Sequence, residues 1–248
     1  MEKLLAIDCA TETASVALAV GNDFTFDVSL EQRGNAKALL PMVEKLLREA
    51  NIALVEIEGL CITIGPGSFT GIRIGIALVQ GLMYSVKMPV YPFDSLEVMA
   101  FSVSDELQSS SDKSSNPERL PTILAPAINA RMEEVYWAKY PLDNTGLLLN
   151  QQAAPSIIGK ADFAREVQLL AQQNLMAVVG DAYDMEGLDF SGIALRNLHP
   201  PSVPRALSMI ELLRKSPLKR KALTDASLLQ PLYLRNEVTW KKRTRIRQ

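Results

Sequence analysis

Asp8 and Thr11 stand three apart in a turn that follows a short apolar strand, Leu4 to Ile7. A carboxylate and a hydroxyl so placed could face a cleft, although both types are also ordinary turn residues. A second chemical candidate is the glycine-rich segment Gly65-Pro66-Gly67-Ser68-Phe69-Thr70-Gly71, lying between a strand and a helix. Backbone N–H groups in that setting can bind an anion. No Gly-Lys-Ser/Thr follows, so it is not a Walker A loop. Its serine is also misplaced for a nucleophile elbow. The competing reading is a tight turn that pins the helix against its strand. His199 is the sole histidine, and no His/Cys/carboxylate cluster has metal-ligand spacing, so no metal site is expected. Cys9 and Cys61 sit in apolar strand contexts and read as small buried residues rather than a disulfide.

The elements that must position these residues centre on Leu60 to Val86, LCITIGPGSFTGIRIGIALVQGLMYSV. A short strand, Leu60 to Ile64, leads through the glycine turn into a long apolar helix capped by Ser68 or Thr70. Arg73 and Gln80, seven apart, are the only long polar side chains from Phe69 to Val86. Gly71, Gly75 and Gly81 with four β-branched residues give this helix poor intrinsic propensity. Packing on nearly all sides must therefore hold it. Gly71 and Gly75 form a notch where another backbone can approach closely. Arg73 and Gln80 break the apolar run, so it does not read as a membrane span.

Upstream, Ser15 to Val20 and Phe24 to Leu30 read as strands joined at Gly21-Asn22-Asp23, and Asn35 to Ala50 as an amphipathic helix containing Pro41. Pro89 to Tyr91 reads as a strand and Ser95 to Val103 as a helix. The serine-rich run 105–119 marks a lobe boundary. Leu120 to Ile128, Glu134 to Tyr140 and Ala177 to Val179 read as strands, with helices over 160–173 and from Val203 to Lys215. Strand and helix alternation makes the class α/β. The expected division is 1–104 as one lobe and 105–248 as the other.

The chain of 248 residues can bury a substantial core, and 48% hydrophobic with 22% charged residues is ordinary for a globular protein. Its N-terminus carries Asp8 and Glu12 inside the apolar run and fits neither a signal peptide nor an anchor, so cytoplasm is the expected location. Residues 215–248 hold ten Lys or Arg against Asp225 and Glu237, a net of +8 where the whole chain is −2. Lys241, Lys242, Arg243, Arg245 and Arg247 are thus candidate contacts to an acidic partner such as RNA, or simply a solvated terminus.

Three opening strands in meander with Asp-x-x-Thr in the first turn resemble the actin, Hsp70 and sugar-kinase superfamily. There that turn touches nucleotide phosphates, and Asp181 after Val178-Val179-Gly180 resembles a second-lobe counterpart. The segments AIDCATETASVAL, Gly65 to Gly75, Ala130 to Trp137 and Pro231 to Lys241 together are similar to the bacterial TsaB family, also called YeaZ. That resemblance implies a two-lobed actin-like fold with no catalysis of its own and no resident cofactor. It implies pairing with the catalytic paralogue TsaD and the ATPase TsaE, which complete threonylcarbamoyladenosine in tRNAs reading codons that begin with A. Any nucleotide would sit only at the interface with those partners. Asn35 and Asn129 stand where the family often has His and Asp, and the helix Asn35 to Ala50 lacks the histidines with which TsaD-like enzymes hold metal.

An apolar helix that one small protein cannot fully cover suggests a docking face. The expected contacts are Leu39, Leu40, Val43, Leu47, Ile72, Ile76, Val79 and Met83, with Gly75 allowing close approach. Two helices of this chain would meet two of the TsaD-like partner as a four-helix bundle, and the same face would form a homodimer when the partner is absent. These side chains could instead fill the chain's own core. The alternative function is an actin-fold ATPase or kinase using Asp8 and Thr11. A peptidase is disfavoured for want of a nucleophile, a base and a metal.

Overall fold

The computed structural model describes residues 2–11, 13–29, 35–110, 121–145, 148–149, 154–191, 193, 195–197, 206–215 and 221–235. Two mixed sheets organise it. The first has the order β3-β2-β1-β4-β5, built from β1 (Lys3–Asp8), β2 (Ala14–Val20), β3 (Asp23–Ser29), β4 (Gly59–Gly65) and β5 (Val90–Asp94). β1 runs antiparallel to β2, with Leu5 opposite Leu18, and parallel to β4, with Leu5 opposite Leu60. Its central strands are apolar on both faces because helices cover both. Leu5, Ile7, Leu60 and Ile62 meet α1 (Asn35–Glu49) and α2 (Phe69–Ser85), whereas Leu4, Ala6 and Cys61 meet α3 (Ser95–Ser110) and α5 (Ala206–Lys215).

The second sheet has the order β11-β10-β6-β7-β9, from β6 (Ile123–Arg131), β7 (Glu134–Trp137), β9 (Ser156–Gly159), β10 (Met176–Val179) and β11 (Leu195–Asn197), with the short β8 (Tyr140–Pro141) beside β6. α4 (Lys160–Gln173) buries Phe163 and Val167 against one face, where the Trp137 and Phe163 rings meet edge-on at 5.5 Å. On the other face lies α3, whose Leu96, Met99 and Val103 join this sheet's core while its Val98 and Phe101 join that of the first. One helix therefore serves both lobes. The class and the two-lobed plan are those expected.

The lobes do not divide the chain at 104/105. Met209 and Ile210 of α5 pack against the first sheet, and Leu223 bridges back to Val90. α5 and the segment that begins at residue 221 thus return to complete the first lobe. Charge and serine content mark solvated segments, not which sheet a later helix will cover.

Candidate functional site

The turn after β1 is closed in on itself. Asp8 is buried, its Oδ1 accepting hydrogen bonds from Thr63 Oγ1 at 2.6 Å and from the Ala10 amide at 3.1 Å, while Oδ2 has no partner. Burial pushes its carboxyl up to about 7, with the two hydrogen bonds opposing that shift. Thr11 is half-buried, its hydroxyl 3.4 Å from the Thr13 carbonyl. The glycine turn lies directly on this segment: the Ser68 amide donates to the Ala10 carbonyl at 2.6 Å, and Cys9 Sγ donates to the Gly71 carbonyl at 2.9 Å. Burial, then the neighbouring Asp8, push the Cys9 thiol up to about 12, which keeps it unreactive near neutral pH.

The glycine notch of α2 is filled by this same turn. A Cβ on Gly71 would strike the Cys9 carbonyl oxygen, and one on Gly75 would strike Cys9 Sγ. Gly75 therefore makes room for the chain's own Cys9 side chain, which corrects its expected role as an approach point for a partner. Ser68 caps the helix, its hydroxyl accepting from the Gly71 amide at 3.2 Å. In the second lobe, Asp181 accepts from the Asn129 amide at 2.9 Å.

Six expected contact residues are likewise interior. Leu39, Val43, Ile72, Ile76, Val79 and Met83 belong to the core between the first sheet and the α1–α2 pair, and Leu47 packs half-buried against it. Leu40 is 44% exposed on the outer side of α1. The correction has a simple cause: the sheet, α1 and the returning segment 221–233 cover three sides of α2. What α2 turns outward is Phe69, Thr70, Arg73, Ala77, Gly81 and Tyr84, a helical stripe in which Tyr84 is 94% and Phe69 64% exposed. A Cβ on Gly81 meets nothing, so Ala77 and Gly81, four apart, are the small residues that face outward.

The polar residues of α2 have a use that spacing alone did not reveal. Gln80 Nε2 donates to the carbonyls of Ala226 and Leu229 at 3.0 and 3.1 Å, and the Arg73 guanidinium lies 3.3 Å over the Phe69 ring and donates to the Tyr233 hydroxyl at 2.6 Å. Between these anchors, the Leu232 amide donates to the Ile64 carbonyl at 2.8 Å. The same segment then reaches the second lobe, where Arg235 pairs with Glu134 and donates to the Ala130 carbonyl at 3.3 Å. Residues 221–235 are thus a clasp across both lobes. It holds the β6–β7 hairpin, whose tip residues Arg131, Met132 and Glu133 all have φ between 55° and 65°. The composition of the tail signalled charge, whereas the tie depends on which carbonyls Gln80 meets. Lys241, Lys242, Arg243, Arg245 and Arg247 lie outside the described residues.

Among the described residues no group of three His, Cys, Asp or Glu could hold a metal ion, and no helix is long and apolar enough to cross a membrane.

The comparisons with known proteins converge. The family model described as TsaD, tRNA N6-adenosine threonylcarbamoyltransferase, matches residues 29–199. The chain is 32% identical over 243 residues to the tRNA threonylcarbamoyladenosine biosynthesis protein TsaB of Haemophilus influenzae, covering 96% of each. It is 33% identical over 242 residues to the TsaB of Escherichia coli, covering 97% of each. Its fold superposes on YeaZ from Pseudomonas aeruginosa with a TM-score of 0.71 at 27% identity, over 94% of this chain and 100% of that one. Near full-length identity above 30% to two of its members places the chain in the TsaB family, whose members are named for tRNA threonylcarbamoyladenosine biosynthesis.

Proposed function

We propose that the chain is a non-catalytic docking subunit that binds a TsaD-like catalytic paralogue in the cytoplasm, together with a TsaE-like ATPase, in the assembly that makes threonylcarbamoyladenosine in tRNA. The observation that carries this reading is the outward stripe of α2. Its small Ala77 and Gly81 let a partner helix come close, Tyr84, 94% exposed, adds aromatic surface to it, and α1 exposes Leu40. The groups that could do chemistry are committed elsewhere: Asp8 to Thr63, and the glycine turn to Cys9 and Ala10. Two helices of each partner would pack as a four-helix bundle. The same face would pair with itself when the partner is missing. Any nucleotide would be shared at the partner interface.

Titrating the TsaD-like partner against wild type and Tyr84→Glu tests this. A charge at a central aromatic contact should weaken binding by about thirty-fold or more while thermal stability stays unchanged. Equal affinity for both proteins would remove the α2 stripe from the interface. Val79→Glu is unsuited to the test, because Val79 is fully buried and its loss would unfold the lobe. The rival reading, an ATPase using Asp8 and Thr11, predicts nucleotide hydrolysis by the isolated chain that Asp8→Ala abolishes. Contacts from Lys241, Lys242, Arg243, Arg245 and Arg247 to tRNA within the complex would appear as a loss of tRNA affinity that steepens with salt.

A further inference from the structure

Among the described residues, Met132 is the methionine that the fold leaves in the open. It is 68% exposed at the tip of the β6–β7 hairpin, whereas Met42, Met83, Met88, Met99, Met176 and Met209 are buried and Met185 packs half-buried against the second sheet. Its sulfur is nonetheless engaged. Arg235 of the clasp turns Nη1 to within 3.6 Å of Met132 Sδ, while its Nη2 pairs with Glu134 and donates to the Ala130 carbonyl. A thioether sulfur is a weak acceptor, so a charged donor is matched here with a poor partner. The contact joins an accessible, oxidisable sulfur to the side chain by which the clasp holds the second lobe. Cys9 and Cys61 are buried and do not compete for an oxidant.

We propose that Met132 is a modification site, oxidised to the sulfoxide by hydrogen peroxide or another small peroxide, and that the added oxygen tightens the clasp. The sulfur lone pair attacks one peroxide oxygen, and the S–O bond forms as the O–O bond breaks. The departing hydroxide takes the proton from the transferred oxygen and leaves as water. Sulfur loses two electrons and the peroxide gains them. The guanidinium beside the sulfur offers N–H groups to the negative charge that develops on the departing oxygen. In the product the S=O oxygen is a strong acceptor that can reach Nη1. A weak N–H···S contact thus becomes a charge-assisted N–H···O bond. The hairpin tip, with Arg131, Met132 and Glu133 all at positive φ, is then held through both terminal nitrogens of Arg235. Methionine sulfoxide reductases reverse the change, two thiols becoming a disulfide as the oxygen leaves as water.

Limited treatment of the native chain with hydrogen peroxide, followed by peptide mass spectrometry and amide exchange, tests the site. Met132 should gain its oxygen about tenfold faster than the buried methionines, whose sulfurs the oxidant reaches only when the fold opens. Amide exchange in Arg131–Glu134 should then slow about threefold or more in the oxidised chain. Treatment with the two methionine sulfoxide reductases, one for each epimer, should restore the starting rate. Met132→Leu should show no effect of peroxide on that exchange, and Arg235→Ala should oxidise at Met132 without the slowing. Oxidation that begins at a buried methionine would overturn the proposal. So would exchange that is unchanged or faster in the oxidised chain, or slowing that persists in Met132→Leu or Arg235→Ala.

Discussion

Among the described residues Asp8 is the one charged type that is fully buried. Its carboxyl is held protonated to about pH 7 when folded, whereas in the unfolded chain it ionises near the ordinary aspartate value of 3.8. The folded state therefore binds the extra proton between those values. Stability from this residue is fully present below about pH 4, declines as pH rises, and levels off above about 7. The slope while only the unfolded form is ionised is about 1.4 kcal/mol per pH unit. Asp8→Asn keeps an oxygen for Thr63 and Ala10 but does not ionise, so its urea midpoint should vary far less between pH 5 and 7.5. A wild-type midpoint that rises over that range would show that Asp8 is not the controlling group. Asp8 and Thr63 are 55 positions apart and were not connected by any motif, because their pairing follows from β1 lying beside β4.

At the scale of elements, α2 shows why three glycines in one helix cannot be read alike. Gly71 and Gly75 lie under the β1–β2 turn, and Gly81 faces open space. Gly81→Ala should stabilise the isolated chain by roughly 0.5–1 kcal/mol, the usual helix-propensity gain. Gly75→Ala should destabilise it despite the same gain, because Cys9 Sγ must move out of a filled core. Thermal melts of the two variants should shift in opposite directions, and shifts of the same sign would mean that the turn does not rest on Gly75. The long apolar run with its cap predicted α2, and its glycines and β-branched residues predicted its dependence on packing. Which residues faced inward was not legible, since a helix apolar on most sides has no periodic mark for the side that the sheet takes.

Across the whole molecule, the segment 221–235 ties α2 to the hairpin of the second lobe through Gln80, Tyr233 and Arg235. Gln80→Ala leaves the Ala226 and Leu229 carbonyls without this donor, at a cost of about 1–2 kcal/mol. Three successive non-glycine residues at positive φ are held only while their surroundings hold them. Amide exchange in Arg131–Glu134 should therefore rise in Arg235→Ala, and also in Gln80→Ala, which cuts the clasp at its far end. Exchange confined to α2 and the segment 225–230 in Gln80→Ala would show that the clasp does not carry this effect across the lobes.

The amino-acid sequence alone determined the α/β class, the existence of α1, α2 and α4, a hydroxyl cap on α2 at Ser68 or Thr70, and the kinship carried by four motifs in order. Those are local or linear properties, set by hydrophobic period, capping chemistry and residue identity. The tertiary structure decided what faces what: that Gly75 receives Cys9, that α5 and the clasp return to the first lobe, and that Tyr84 and Gly81 rather than Val79 face outward. Burial depends on elements that arrive from more than a hundred residues away. No window of neighbouring residues contains that information.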